Sequence, residues 1–134
     1  TTPRAMTDTL EALLFSGILS TESRTQLESW MQQDQVAGAL IRASLPEGWT
    51  IADKTGAGGH GARSIVAVIR TPDGTPWLAA IYLADNSADM DSRNRAIAQS
   101  RATRTSPSSR LTGGGASGEG PAGWRRGKAN MTAV

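Results

Sequence analysis

Cysteine is absent from the 134 residues, so no disulfide framework and no thiolate metal site can form, and the redox compartment is left undetermined. His60 is the only histidine. Set in a glycine-rich stretch, it reads as a solvated loop residue rather than a metal ligand or a catalytic base. Long apolar runs are missing too. The longest, Trp77-Leu78-Ala79-Ala80-Ile81-Tyr82-Leu83-Ala84, is too short to span a bilayer. No internal repeat is evident, and no metal or cofactor site is expected from the residue types present.

The charge that is present divides the chain. Residues 1–99 hold eight Lys/Arg and eleven Asp/Glu, a net of −3, whereas residues 100–134 hold six Lys/Arg and one Glu, a net of +5. The second stretch has seven glycines, two prolines and many serines and threonines. Its sizeable apolar residues are Leu111, Trp124, Met131 and Val134. Such a composition buries too little to offset chain entropy, so residues 100–134 are expected to form a basic, disordered tail.

Residues 1–99 read as helices, then strands, then a helix: an α/β chain with α+β layering. Met6, Leu10, Leu13 and Leu14 recur at helical spacing, and Gly17 ends that helix. Ser20 is an N-cap candidate for a second helix with Glu22 in its first turn, placing Leu27, Trp30 and Met31 on one face. Val36, Leu40 and Ile41 suggest a short third helix that stops before Pro46. Three antiparallel strands are expected at about 49–55, 62–70 and 76–84, with a turn at Pro72-Asp73-Gly74. Asn86 or Ser87 can cap a last helix through 88–99. Trp30, Trp49, Trp77 and Leu83 are assigned to the core.

The chemistry concentrates between the first two strands, in Asp53-Lys54-Thr55-Gly56-Ala57-Gly58-Gly59-His60-Gly61-Ala62-Arg63-Ser64-Ile65. Lys54 offers a compact positive charge and Thr55 a hydroxyl donor. The glycines let a ligand approach the backbone, whose N–H groups on a strand edge can bond a carbonyl or oxyanion. Arg63 can grip a carboxylate with two parallel bonds, which a lysine cannot. The segment therefore suits an anion held against a sheet edge. A bare Lys-Thr-Gly tripeptide would be weak support, because short motifs recur by accident.

The longer string is more specific. Thr1-Thr2-Pro3, Met6, Leu13-Leu14, Leu27-Glu28-Ser29-Trp30-Met31, Val36-Ala37-Gly38, Leu45-Pro46-Glu47-Gly48-Trp49, Ile51-Ala52-Asp53, Gly61-Ala62-Arg63-Ser64-Ile65, Ile81-Tyr82-Leu83 and Arg93-Asn94 accompany the Lys-Thr-Gly element. Over residues 1–99 this pattern resembles the class A serine β-lactamases, and within them the carbenicillin-hydrolysing type. The resemblance implies the β-lactamase/transpeptidase-like fold. It also implies β-lactam hydrolysis in the parent protein, and a periplasmic or secreted location for that protein.

Two departures set limits. The nucleophile element Ser-x-x-Lys and the element Ser-Asp-Asn occur nowhere in the chain. The family's deacylating glutamate belongs to a loop upstream of the region matching Thr1-Thr2-Pro3. The chain thus reads as the C-terminal part of such an enzyme, inactive in isolation, with a missing N-terminal portion as a possible partner. After Ile97 the helical apolar period stops, and the family's terminal helix is expected to be truncated there. The abrupt change to a basic, low-complexity sequence points to a frameshift, fusion or gene disruption.

By resemblance, Lys54 supplies positive potential near the nucleophile and helps hold the substrate carboxylate, and Thr55 donates to that carboxylate. The Ala57 N–H serves as one oxyanion-hole donor. Gly56 and Gly58 shape the strand beside the ligand. Arg63 pairs with the carboxylate, and Asn94 orients Arg63. Asp53 is read either as tuning Lys54 or as its exposed ion-pair partner. Two other readings stay open. One is non-hydrolytic penicillin-binding recognition on the same Lys-Thr-Gly strand. The other is a phosphate-binding tail built on Arg101, Arg104, Arg110, Trp124, Arg125, Arg126 and Lys128. The β-lactam is the expected partner; neither a membrane nor nucleic acid is.

Overall fold

The computed structural model describes residues 1–100 and the strand at 128–132. Helix α1 (Pro3–Phe15) begins where Thr2 accepts the Ala5 N–H and Pro3 supplies a pre-set φ in the first turn. It ends at Ser16, and Gly17 follows at φ +80°. Ser20 caps α2 (Thr21–Gln32) by accepting from the Ser23 N–H, as its sequence position suggested. Three antiparallel strands follow: β1 (Thr50–Ala57), β2 (Arg63–Arg70) and β3 (Pro76–Leu83). α3 (Met90–Gln99) then crosses back over the sheet.

Strand alternation sorts the apolar residues into two cores. Ile51, Ile65, Ala67, Ile69, Trp77, Ala79 and Ile81 face Leu40, Ile41 and Ile97. On the opposite face Ala52, Val68 and Leu78 meet Leu10, Leu14 and Met31. The sheet is therefore the middle of three layers, with α1 and α2 on one side and α3 with the segment around Leu40 on the other. Arg70 of β2 ties the helical side down. Its guanidinium donates from Nε and Nη2 to Glu28 of α2, both at 2.9 Å, and lies 5.7 Å from the centre of the Phe15 ring.

Four expectations need correction. The third helix is only a 3₁₀ turn, Ile41–Ser44, and Val36 is exposed. The chain between Gln33 and Leu40 is shaped instead by the Asp34 side chain accepting the Val36 N–H. The last helix starts later than expected and is capped by Asp89, whose carboxylate accepts from Ser92 N. Asn86 bonds the Gly61 carbonyl instead. Trp30 is not core: it is 66% exposed on the side of α2 away from the sheet, beside Glu22, Ser23 and Gln26. Trp77 is buried, while Trp49 and Leu83 are partly buried against the first core. Finally, a strand, β4 (Lys128–Thr132), pairs in parallel with β3, opposite Leu78 to Tyr82, making the sheet four-stranded. Disorder was expected there. The rest of the expected tail, 101–127 and 133–134, lies outside the described residues.

Candidate functional site

β1 is an edge strand, and its pairing fixes where each predicted site residue points. Ala57 stands opposite Arg63, Gly56 opposite Ser64 and Thr55 opposite Ile65. Directly opposed residues share a face, so Thr55, Ala57 and Arg63 lie on the α3 side of the sheet. Lys54 points to the α2 side. The polar groups expected to converge thus split: Thr55 and Arg63 are diagonal neighbours, while Lys54 reaches the same edge from behind. Its Nζ donates to the Thr55 carbonyl at 3.1 Å, and its side chain is 67% exposed.

Arg63 is only 5% exposed. Its Nε donates to Asn94 Oδ1 at 2.9 Å, and Nη1 donates to the Gly56 carbonyl at 3.2 Å. These bonds use two of the five guanidinium N–H donors and tie the group to both α3 and the β1 backbone. Asn94 reaches it from α3, whose start is anchored to the β1–β2 loop. Asn86 donates to the Gly61 carbonyl at 3.0 Å, and Arg93 to the Ala62 carbonyl at 3.5 Å. Gly61 has φ +69°, and a Cβ there would sit 2.0 Å from the Asn86 carbonyl oxygen, so the loop closes against 86 only with glycine. A Cβ on Gly56 would meet Ser64 Oγ at 2.8 Å, whereas Gly58 has ordinary room.

Asp34, which no motif singled out, organises the other side of the edge. It follows α2 and its side chain is 5% exposed. Oδ1 accepts from Val36 N at 2.7 Å; Oδ2 accepts from Thr55 N at 3.3 Å and lies 3.5 Å from Lys54 Nζ. Burial alone would raise this carboxyl. The amides of Val36 and Thr55 and the Lys54 charge outweigh that and hold it below the usual carboxylate range. Because Thr55 N turns outward to Asp34, the Ala57 amide, two residues on, faces the same outer edge. The Asp-x-Val spacing was a readable sign of a local side-chain turn, but nothing in sequence links Asp34 to Thr55, 21 residues away.

Asp53 corrects another expectation. It is fully buried and pairs with Arg42, Nε to Oδ1 at 2.7 Å, and not with Lys54 as an exposed partner. The same Arg42 also donates to the Met31 and Gln32 carbonyls at the end of α2. Burial pushes the Asp53 carboxyl up despite Arg42, and the Asp34 charge adds to the rise. Among the described residues there is no group of three or more His, Cys, Asp or Glu placed to hold a metal ion.

The outer half of β1 thus brings together an outward amide at Ala57, the Thr55 hydroxyl and a buried arginine bonded to the Gly56 carbonyl. A family model described as the beta-lactamase enzyme family matches residues 1–104, and the chain belongs to that family. Among curated relatives it is similar to beta-lactamase AER-1 of Aeromonas hydrophila, 56% identical over 99 residues, or 74% of this chain and 33% of the relative. It is similar also to beta-lactamase PSE-4 of Pseudomonas aeruginosa, 50% identical over 97 residues, or 72% of this chain and 34% of the relative.

Among solved structures, the chromosome-encoded beta-lactamase of Vibrio parahaemolyticus superposes with a TM-score of 0.70 at 44% identity, covering 74% of this chain and 38% of that one. A reconstructed last common ancestor of Gram-negative class A beta-lactamases gives 0.70 at 40% identity, over 74% and 38%. The chain therefore spans about a third of the length of the curated relatives it matches. Among the described residues no helix is long and apolar enough to cross a membrane.

Proposed function

We propose that residues 1–99 supply one wall of the binding site of a class A, carbenicillin-hydrolysing-type serine β-lactamase, and that the basic residues 100–134 contribute nothing to that wall. The parent protein opens β-lactams through a serine acyl-enzyme. The nucleophile element Ser-x-x-Lys does not occur in these 134 residues, and an acyl-enzyme cannot form without it. The parent acts in the periplasm or outside the cell. The observation that supports the reading most is the buried Arg63, clamped between Asn94 and the Gly56 carbonyl behind the Lys54-Thr55-Gly56 edge.

In this reading the substrate lies antiparallel to β1. The Ala57 amide donates to the β-lactam carbonyl oxygen and stabilises the charge that develops there on attack. Thr55 and Arg63, on one face, take the substrate carboxylate. Lys54, approaching from the other face and steadied by Asp34, adds positive potential without direct stacking on Arg63. Gly56 and Gly58 keep the strand bare where the ligand passes.

The test is a graft. Residues 1–99 replace the matching third of the Aeromonas hydrophila relative, and turnover of a penicillin and of nitrocefin is measured for the graft and for the isolated chain. The expected result is turnover by the graft and none by the isolated chain. A graft that is acylated by penicillin but never releases product supports the penicillin-binding reading instead.

A further inference from the structure

Two backbone irregularities sit against each other. Among the described residues, the non-glycine residues with positive φ are His60, at +55°, and Asp85, at +51°. Such backbone is unfavourable for a residue with a side chain. It persists where surrounding contacts hold it, and it gathers beside functional sites. His60 lies in the β1–β2 loop next to Gly61, and Asp85 lies in the link from β3 to α3 next to Asn86. The two segments touch at Gly61 and Asn86, too closely for any side chain on residue 61.

Asn86 is half-buried between exposed neighbours. Its Oδ1 accepts from Ala88 N at 3.2 Å, a local bond that fixes the side chain. Its Nδ2 donates across to the Gly61 carbonyl at 3.0 Å. The next two residues are held from the same side: Arg93 donates to the Ala62 carbonyl at 3.5 Å, and Asn94 accepts from Arg63 Nε at 2.9 Å. Residues 61, 62 and 63 are thus bonded in turn by 86, 93 and 94. Arg63 opens β2 directly opposite Ala57. The end of the loop from which Arg63 leaves is therefore pinned at three successive residues.

We propose that Asn86 is a positioning residue: by holding Gly61 it fixes the start of β2, and so sets where the Arg63 guanidinium meets the substrate carboxylate. The proposal rests on the ligand role given to Arg63 above. Asn86 acts through Arg63 and touches no substrate itself. A small misplacement of such a group is enough to weaken its contact with a ligand.

The test is Asn86→Asp. It keeps an oxygen for the Ala88 N–H and turns a second oxygen, which cannot donate, toward the Gly61 carbonyl. The control, Asp73→Ala, loosens the other hairpin of the sheet, where Asp73 accepts from Thr75 N at 3.1 Å. Hydrogen exchange of the Arg63 Nε–H is followed by NMR in the full chain. In the graft, kcat and KM are measured for a carboxylate-bearing penicillin.

In Asn86→Asp the Arg63 Nε–H exchanges about tenfold faster or more than in the unsubstituted chain, while in Asp73→Ala it keeps its rate. In the graft, Asn86→Asp raises KM about three- to tenfold with kcat within about twofold, and Asp73→Ala moves neither. On an Arg63→Ala background, Asn86→Asp changes KM by less than about twofold, because the residue it acts through is gone. Unchanged Arg63 exchange in Asn86→Asp overturns the proposal, whatever the graft does. So does an unchanged KM in an active graft, or a KM effect that persists in full without Arg63. A graft that shows no turnover before any substitution counts against the β-lactamase reading, and the exchange of Arg63 then decides by itself whether Asn86 positions it.

Discussion

β1 and β3, the two strands that flank β2, meet the problem of an outer edge in opposite ways. β3 carries an unbroken apolar run, is covered on both faces, and meets another strand of the same chain. β1 has no such apolar run in its last half, where Lys54 is exposed and Thr55 half-buried. One of its outward amides, Thr55, goes to the Asp34 side chain, and the next, Ala57, is the one proposed to meet a ligand. The contrast teaches that an edge becomes a binding surface when side chains, rather than a neighbouring strand, take some of its backbone groups. Asp34 and Arg63 each bond a backbone group of β1 from outside the strand ladder.

The largest effect is expected from removing Arg42. Arg42→Ala leaves the fully buried Asp53 without its ion-pair partner and releases two carbonyls at the end of α2. Breaking a buried pair in this way costs about 3–5 kcal/mol. Urea denaturation of the grafted protein should show that loss, and β1 should gain exchange before β3 does. A change below about 1 kcal/mol would mean that the pair behaves as an exposed one.

Next comes Arg63→Ala. Losing a charge-assisted contact to a ligand carboxylate is worth about 1.5–3 kcal/mol, or roughly a 10- to 100-fold rise in KM for a carboxylate-bearing penicillin. The buried setting of Arg63 predicts a lower melting temperature as well, because the Gly56 carbonyl and Asn94 both lose a donor. A fall in melting temperature with unchanged KM for that penicillin would make Arg63 a structural pin rather than a ligand clamp.

Two glycines of the β1–β2 loop sharpen the comparison further. Gly61→Ala combines a positive φ with a clash against the Asn86 carbonyl, and should cost about 1–3 kcal/mol. Gly58→Ala meets only an ordinary contact with Ala62 and should stay within about 0.5 kcal/mol. Thermal melts of the two variants should separate them clearly; equal losses would refute the asymmetric loop.

The smallest effect concerns acid. The Asp34 carboxyl is held below its usual value of about 3.9, so its contribution to stability is present above that pH and is lost as pH falls through the lowered value. Asp53 is shifted upward, so its titration acts with the opposite sign: the stability linked to it is present below about pH 3.9 and is lost as pH rises through the raised value. Asp34→Asn should therefore flatten the acid limb of the stability profile. A limb that is unchanged in Asp34→Asn would place the acid sensitivity elsewhere.

Much of this was legible from residue order. Ser20 before Thr21-Glu22, the period of Leu10 and Leu14, and the turn at Pro72-Asp73-Gly74 are local signals, and each marks an element that formed. The Lys54-Thr55-Gly56 edge and its link from Arg63 to Asn94 were visible only because a family pattern places them together. What escaped depends on distance. Asp34 and Thr55 meet across 21 residues, and Arg42 and Asp53 across 11. Trp30 misled because helical spacing shows a shared face but not what covers it. Lys128–Thr132 misled because its composition is poor in apolar residues, while the partner edge that recruits it is rich in them.

The loops joining β1 to β2 and β2 to β3 span residues 58–62 and 71–75, five residues each. Every pairing among these three strands is therefore between neighbours in the chain, formed by closing short hairpins. Contacts of small sequence separation pay little loop entropy and tend to form early. In kinetic terms the β1–β2–β3 sheet is a nucleus candidate: it can zip from its own turns, and Asp34 and α3 have an edge to dock against once it exists. Mutations inside the hairpins should then slow refolding, while those at Asn94 or Arg42 should chiefly speed unfolding.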